Sequence, residues 1–210
     1  MRVLLADDHI MTIEGYKSIL KHLDYTYIDV VNCEEFYHVI STEKRSIDIA
    51  VIDYNMPGYK QAKLESGIDC SVLLKQKYPD CKIIFVTSFE EALVLYEIYK
   101  RVRPDALIVK SDFTIDVFKD LIQSLNYDLP YLSKVAQQAV KKVITRDTLL
   151  DSKNREILMY LSNGFKAKQI EALVLLSSSA IQKRISKMLA DFQVKDYLEL
   201  VFVARNLDLI

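Results

Sequence analysis

Four short apolar runs in this chain each stop at a polar residue, and that recurrence limits the folds open to it. Val3-Leu4-Leu5-Ala6 gives way to Asp7-Asp8, and the run from Ile47 to Ile52, broken only by Asp48, ends in Asp53. Ile83-Ile84-Phe85-Val86 meets Thr87-Ser88, and Ala106-Leu107-Ile108-Val109 meets Lys110-Ser111. Runs of this length bounded by turn residues read as buried strands. Between them lie segments with apolar residues at helical spacing: Thr12 to Leu23 with Thr12 as N-cap, Cys33 to Ser41, Gly67 to Tyr78, Glu90 to Val102 and Phe113 to Leu125. With Tyr27–Val31 as a further strand, strand and helix alternate as β-α units do, which predicts an α/β, doubly wound, parallel five-stranded sheet.

In an open parallel sheet the carboxyl ends of the strands share one edge, and ligands bind there. The residues delivered to that edge are three carboxylates (Asp7, Asp8, Asp53), a hydroxyl (Thr87) and an ammonium (Lys110). Carboxylate oxygens suit a hard cation such as Mg²⁺, the hydroxyl can bond a phosphoryl oxygen, and the ammonium can neutralise one. The set suits formation of an aspartyl phosphate on Asp53.

Residues 1–127 resemble the receiver domain of two-component response regulators. Asp7 and Asp8 match the acidic pair, Asp53 the phosphoacceptor, Thr87 the hydroxyl switch residue and Lys110 the lysine. The resemblance implies Mg²⁺ held by Asp8, Asp53 and the backbone carbonyl of Asn55, with Asp7 acting through water, and a sensor histidine kinase as phosphodonor. The sequence departs from the family in two places. Leu107 stands where receivers place a Tyr or Phe that turns inward on activation, and Ser111 follows the lysine in place of Pro or Asp. Tyr59–Ser66 lengthens a turn that is usually short; it reads as a surface loop insertion, with kinase docking as the alternative.

From Leu149 onward the pattern is all helical. Asp151–Glu156 opens a helix that Asn163-Gly164 ends, Lys166 to Leu175 forms a second, and Ser177-Ser178-Ser179 caps a third that runs to Phe192. In the third helix Ile181, Ile185, Met188, Leu189 and Phe192 make an apolar stripe, opposite Ser179, Gln182, Lys183, Ser186 and Lys187, with Arg184 beside them. Short hydroxyls and Gln can read base edges while Lys and Arg bond phosphates, so this face suits promoter DNA, with Lys166 and Lys168 ahead of it. Leu150–Val201 is similar to the LuxR-type helix-turn-helix domain, with Arg155-Glu156, Gly164, Ile170 and Val194 at matching positions. Together the two halves resemble response regulators of the NarL/FixJ type. Ala167, Glu171, Ala180-Ile181 and Phe192-Gln193 depart from the LuxR-type pattern.

The expected organisation is a receiver over 1–127, a linker over 128–147 with a helix capped by Ser133, and a DNA-binding domain over 148–210. Net charge follows this division: −5 over 1–127 and +2 over each of the other two stretches, which gives −1 overall. A regulatory domain joined to a binder of polyanions suits that asymmetry. The helix from 197 to 207 is apolar on two sides, Leu198, Val201 and Phe202 on one and Leu200, Val203 and Leu207 on the other, which predicts a homodimer through it, through the receiver, or both. No apolar run reaches membrane-spanning length and no signal peptide is visible, so a cytoplasmic, non-membrane protein is expected. Cys33, Cys70 and Cys81 lack metal or disulfide spacing and read as free thiols, and His9 and His38 lack a metal-binding partner in sequence. Two alternatives compete with a non-enzymatic DNA-binding regulator. An aspartyl-phosphate hydrolase would need an acid where Asn55 stands, and an interaction regulator would have a helical half that has lost DNA binding.

Overall fold

The protein is described here from a computed structural model, which describes residues 1–124 and 130–210. The expected last residue of the fifth helix, Leu125, the break at Asn126–Leu129 and the boundary at 127 lie outside the described residues. The chain divides into two compact units, Met1–Phe89 with Glu97–Ala136, and Glu90–Tyr96 with Gln137–Ile210.

The first unit is built on a parallel sheet. Its strands are β1 (Arg2–Ala6), β2 (Thr26–Val30), β3 (Ile49–Asp53), β4 (Lys82–Thr87), β5 (Ala106–Val109) and a short β6 (Tyr131–Leu132), in the order β2-β1-β3-β4-β5-β6. β3 is buried along its whole length, as expected for a central strand covered on both faces. Helices α1 (Ile10–Ile19) and α5 (Ile115–Ser124) bring Ile13, Tyr16, Phe118, Leu121 and Ile122 onto one core with Val3, Leu5, Val51, Val86 and Ile108. The rings of Tyr16 and Phe118 lie 5.0 Å apart within it. Helices α2 (Cys33–Thr42) and α3 (Gly67–Lys77) start at side-chain caps: Asn32 accepts from the Glu35 N–H and Ser66 from the Ile68 N–H.

The sheet has six strands where the sequence suggests five. Tyr131 N–H donates to the carbonyl of Asp105 and Ser133 N–H to that of Leu107, both at 2.9 Å, so β5 has a neighbour on each side. The Ser133 hydroxyl does not cap the following helix, α6 (Lys134–Ile144). It accepts the Val109 N–H at 3.1 Å, and Asp112 Oδ2 takes the Val135 N–H of α6 at 2.8 Å. A buried N–H of β5 and a helix end thus exchange the partners that local sequence would assign. Thr12 is likewise not a cap, because α1 begins at Ile10 with His9 before it.

The 59–66 insertion is folded rather than a plain loop. Tyr59 and Leu64 pair antiparallel around a 3-10 turn at Lys60–Ala62, Leu64 is buried, and the Tyr59 ring lies 5.6 Å from that of Tyr37 on α2.

Helix α4 (Ala92–Val102) belongs partly to each unit. The rest of the second unit is helical: α7 (Asp147–Leu150), α8 (Ser152–Ser162), α9 (Ala167–Val174), α10 (Ser178–Phe192) and α11 (Tyr197–Asn206) follow α6. Asp151 caps α8 by accepting from the Lys153 and Asn154 N–H groups, Gly164 takes φ +82° just past its end, and Ser177 caps α10. Ile157, Leu158, Ile170, Val174, Ile181, Met188, Leu200 and Ala204 are buried.

Candidate functional site

Strand register assembles the first site. Ala6 pairs with Ile52, Asp53 with Val86, and Thr87 with Val109, so the acids after β1, the acid ending β3, the hydroxyl ending β4 and Lys110 after β5 reach the same edge in step. Lys110 Nζ sits 2.9 Å from Asp53 Oδ1 and 3.0 Å from Asp7 Oδ2, bridging two carboxylates that are only 5% and 1% exposed. The second oxygen of Asp53 accepts the Asn55 N–H at 2.6 Å. Thr87 is buried, and its hydroxyl accepts the Phe89 N–H at 3.2 Å. The Phe89 ring in turn meets Tyr54 edge-on, with centroids 4.8 Å apart.

Electrostatics make the cluster unequal. Burial raises the pKa of Asp53 above the ordinary carboxylate range, against the pull of Lys110, and the charge of Asp7 adds to the rise. Burial opposes the charge on Lys110, yet its bonds to Asp53 and Asp7 outweigh that and raise its pKa. Lys110 is thus the donor that joins Asp53 and Asp7, and burial and pairing act on it in opposite directions.

Asp7, Asp8 and His9 form the cation-binding candidate, with ligand atoms all within 4.8 Å of one another. His9 Nδ1 approaches Asp8 Oδ1 to 2.6 Å without hydrogen-bond geometry, and that buried oxygen has no other hydrogen-bond partner. A buried carboxylate oxygen that makes no hydrogen bond, beside a second acid, fits a divalent cation. Sequence spacing gave His9 no partner, because its neighbours are the two acids directly before it rather than another His or Cys.

Leu107 is buried between Phe85 of β4 and Leu132 of β6. Nothing in the local pattern beyond the pair Tyr131-Leu132 between Pro130 and Ser133 announces the strand that covers it.

On the second unit the exposed side of α10 carries Ser179, Gln182, Lys183, Ser186 and Lys187, and Lys166 and Lys168 are exposed at the start of α9. Arg184 differs from the other candidates. Its Nη1 lies 2.7 Å from Asp151 Oδ2 and 2.8 Å from Asn154 Oδ1, which ties α10 to the first turn of α8. Glu171 is engaged by the Ser178 hydroxyl at the start of α10. Arg184→Ala is expected to lower the stability of the unit by about 1 kcal/mol, the modest scale of a partly exposed ion pair. Urea unfolding measures that loss, and an unchanged midpoint would show that Arg184 does not brace α8.

Residues 3–123 match the response regulator receiver domain. The chain belongs to the response regulator receiver family. This receiver protein is 20% identical over 212 residues to the oxygen regulatory protein NreC of Staphylococcus epidermidis, covering 96% of this chain and 95% of the relative. It is 24% identical over 213 residues to the transcriptional regulatory protein ComA of Bacillus subtilis, covering 98% and 97%. Among solved structures it shares the fold of RcsB from Salmonella enterica serovar Typhimurium bound to promoter P1flhDC with a beryllofluoride phosphomimetic, at TM-score 0.65, 19% identity and 96% of both chains. Another RcsB–DNA complex matches at TM-score 0.65 and 18% identity, again over 96% of both chains. The receiver expected from the strand-end residues is thus the family found, and a helical region follows its parallel sheet.

Proposed function

We propose that this chain is a DNA-binding response regulator of a two-component system. Asp53 accepts a phosphoryl group from a sensor histidine kinase, and the acyl phosphate controls dimerisation and promoter binding. The observation that carries this reading is the Asp53–Lys110–Asp7 bridge at the sheet edge, on a chain that also presents the exposed Lys183 and Lys187 face of α10. In the transfer, an Asp53 oxygen attacks phosphorus, the P–N bond of the phosphohistidine breaks as the P–O bond forms, and Lys110 and the Thr87 hydroxyl bond the phosphoryl oxygens. Asp8, Asp53 and the Asn55 carbonyl, with Asp7 through water, are the groups that would hold Mg²⁺. The ion supplies neutralisation of charge on the transferring group.

The proposed organisation keeps the receiver in 1–127, the linker in 128–147 and the DNA-binding part in 148–210, in a cytoplasmic regulator rather than an enzyme. Among the described residues no helix is long and apolar enough to cross a membrane. Homodimerisation through α11 is supported by its division into a buried side, Leu200 and Ala204, and an open one, where Leu198 and Phe202 are 66% and 65% exposed. NreC, ComA and RcsB support the reading through their names and complexes. A helical half that has lost DNA binding is the second reading, favoured by the diversion of Arg184 to Asp151.

The experiment selects duplexes from a random-sequence pool with the full chain, Mg²⁺ and beryllofluoride, then measures affinity against salt. Binding that falls with a log–log slope of about −4 or steeper, and that Asp53→Ala loses, is expected for contacts to about four or more phosphates. No enrichment with the parent would leave the interaction-protein reading in place.

A further inference from the structure

The residue before Lys110 and the second residue after it are both bound to the start of α6. Val109 N–H donates to the Ser133 hydroxyl, which is 1% exposed, and Asp112 Oδ2 accepts the Val135 N–H in the first turn of α6. Between them the backbone makes a single 3-10 turn, Lys110–Asp112. A shift of the backbone at Lys110 therefore has one tight turn to cross before it reaches Asp112. The ammonium of Lys110 meanwhile spans Asp53, the carboxylate that a phosphoryl group would convert to an acyl phosphate, and Asp7.

Leu107 and the sheet edge remove another route. Leu107 has no ring to reorient, and it pairs with Leu132 while its carbonyl accepts the Ser133 N–H. The other oxygen of Asp112, Oδ1, is buried without a hydrogen-bond partner. The Asp112 carboxylate thus meets α6 through one oxygen and leaves the other without a hydrogen bond.

We propose that these two hydrogen bonds, Val109 to Ser133 and Val135 to Asp112, form a clasp through which phosphoryl occupancy at Asp53 governs the first turn of α6. Resting on the acyl-phosphate reading above, the clasp works as follows. Once Asp53 carries the phosphoryl group as an acyl phosphate, its Oδ1 no longer offers Lys110 a full negative charge, and the ammonium turns to the phosphoryl oxygens. The 3-10 turn follows it, and Asp112 releases the Val135 N–H. Helix α6 runs from residue 134, in the first unit, to residue 144, in the second. Its first turn is thus the piece of chain through which a loosened cap reaches the helical half.

The test uses the full chain with Mg²⁺ and beryllofluoride. Fluorine NMR reports whether the mimic binds, and hydrogen exchange at Val135 reports the clasp. In the parent, bound beryllofluoride is expected to speed exchange of the Val135 amide about tenfold, the size of losing one charged hydrogen bond. Asp112→Ala and Ser133→Ala should still bind the mimic while showing fast exchange at Val135 that no longer responds. Asp112→Asn, whose amide oxygen can still accept, should recover the response. Beryllofluoride bound to the parent with no change at Val135, or a full response in Asp112→Ala, overturns the clasp. No binding of the mimic to the parent overturns the acyl-phosphate reading itself, and the clasp with it.

Discussion

Gly67→Ala is expected to destabilise the protein by about 3 kcal/mol or more and to abolish labelling of Asp53 by a small phosphodonor such as acetyl phosphate. Gly67 opens α3 against the backbone of Asp53, and its N–H donates to the carbonyl of Tyr54 at 3.0 Å. A Cβ there would stand 1.9 Å from the carbonyl oxygen of Asp53 and 3.1 Å from Cγ2 of Ile52. That contact is with backbone, so no rotamer change relieves it. Either α3 moves away from β3 or the end of β3 is pushed out of register, and in both cases Asp53 leaves Lys110. Gly15 in α1 supplies the control, because a Cβ there meets nothing within 4 Å and Gly15→Ala should stabilise by about 0.5–1 kcal/mol through helix propensity. Urea unfolding of both variants decides the matter, and a neutral Gly67→Ala would mean that α3 is not seated this closely against Asp53.

The second large effect is that of Lys110→Met. Removing the ammonium leaves Asp53 and Asp7 as buried carboxylates without the cation that joins them. Breaking a buried pair from one side costs about 3 kcal/mol, since the remaining charge stays desolvated. The loss should depend on pH. Burial already raises the pKa of Asp53, and without Lys110 the main opposing influence is gone, so the folded-state value moves further up. A group whose folded pKa exceeds its unfolded value stabilises the fold below the unfolded pKa, and that contribution fades as pH rises through the folded pKa. The stability gap between parent and Lys110→Met should therefore be smaller at pH 5 than at pH 8. Thermal unfolding at the two pH values gives the gap, and a gap of equal size at both would argue that the Asp53 carboxylate is not desolvated as its burial indicates.

The grouping of the candidate site was legible because it rests on residue type at strand ends. Asp7, Asp8, Asp53, Thr87 and Lys110 each follow an apolar run, and parallel register then brings those ends into line with no further information. Caps showed the limits of local reading. Thr12 and Ser133 are good capping residues by type, yet α1 starts earlier and Ser133 is taken by Val109, because a buried β-strand N–H needs a partner more than a helix end that Asp112 can reach. The strand at Tyr131-Leu132 is two residues long and has no periodicity to detect; it exists because β5 offers it an edge. Arg184 illustrates the same principle on α10. Helical spacing put it beside the exposed basic face, but only the fold could bring Asp151 and Asn154 to it across 33 and 30 residues of sequence respectively.

That short strand also bears on how the first half behaves when separated. Ala106, Leu107, Ile108 and Val109 are all buried, and β6 with Ser133 covers the outer edge of the strand they form. A fragment cut at residue 127 would leave the carbonyls of Asp105 and Leu107 and the Val109 N–H without these partners along the edge of β5, a template for edge-to-edge association with other copies. A fragment carried through Ala136 would retain the strand that covers them, so its solubility should exceed that of the shorter piece even though the added residues contribute nothing to the phosphorylation chemistry.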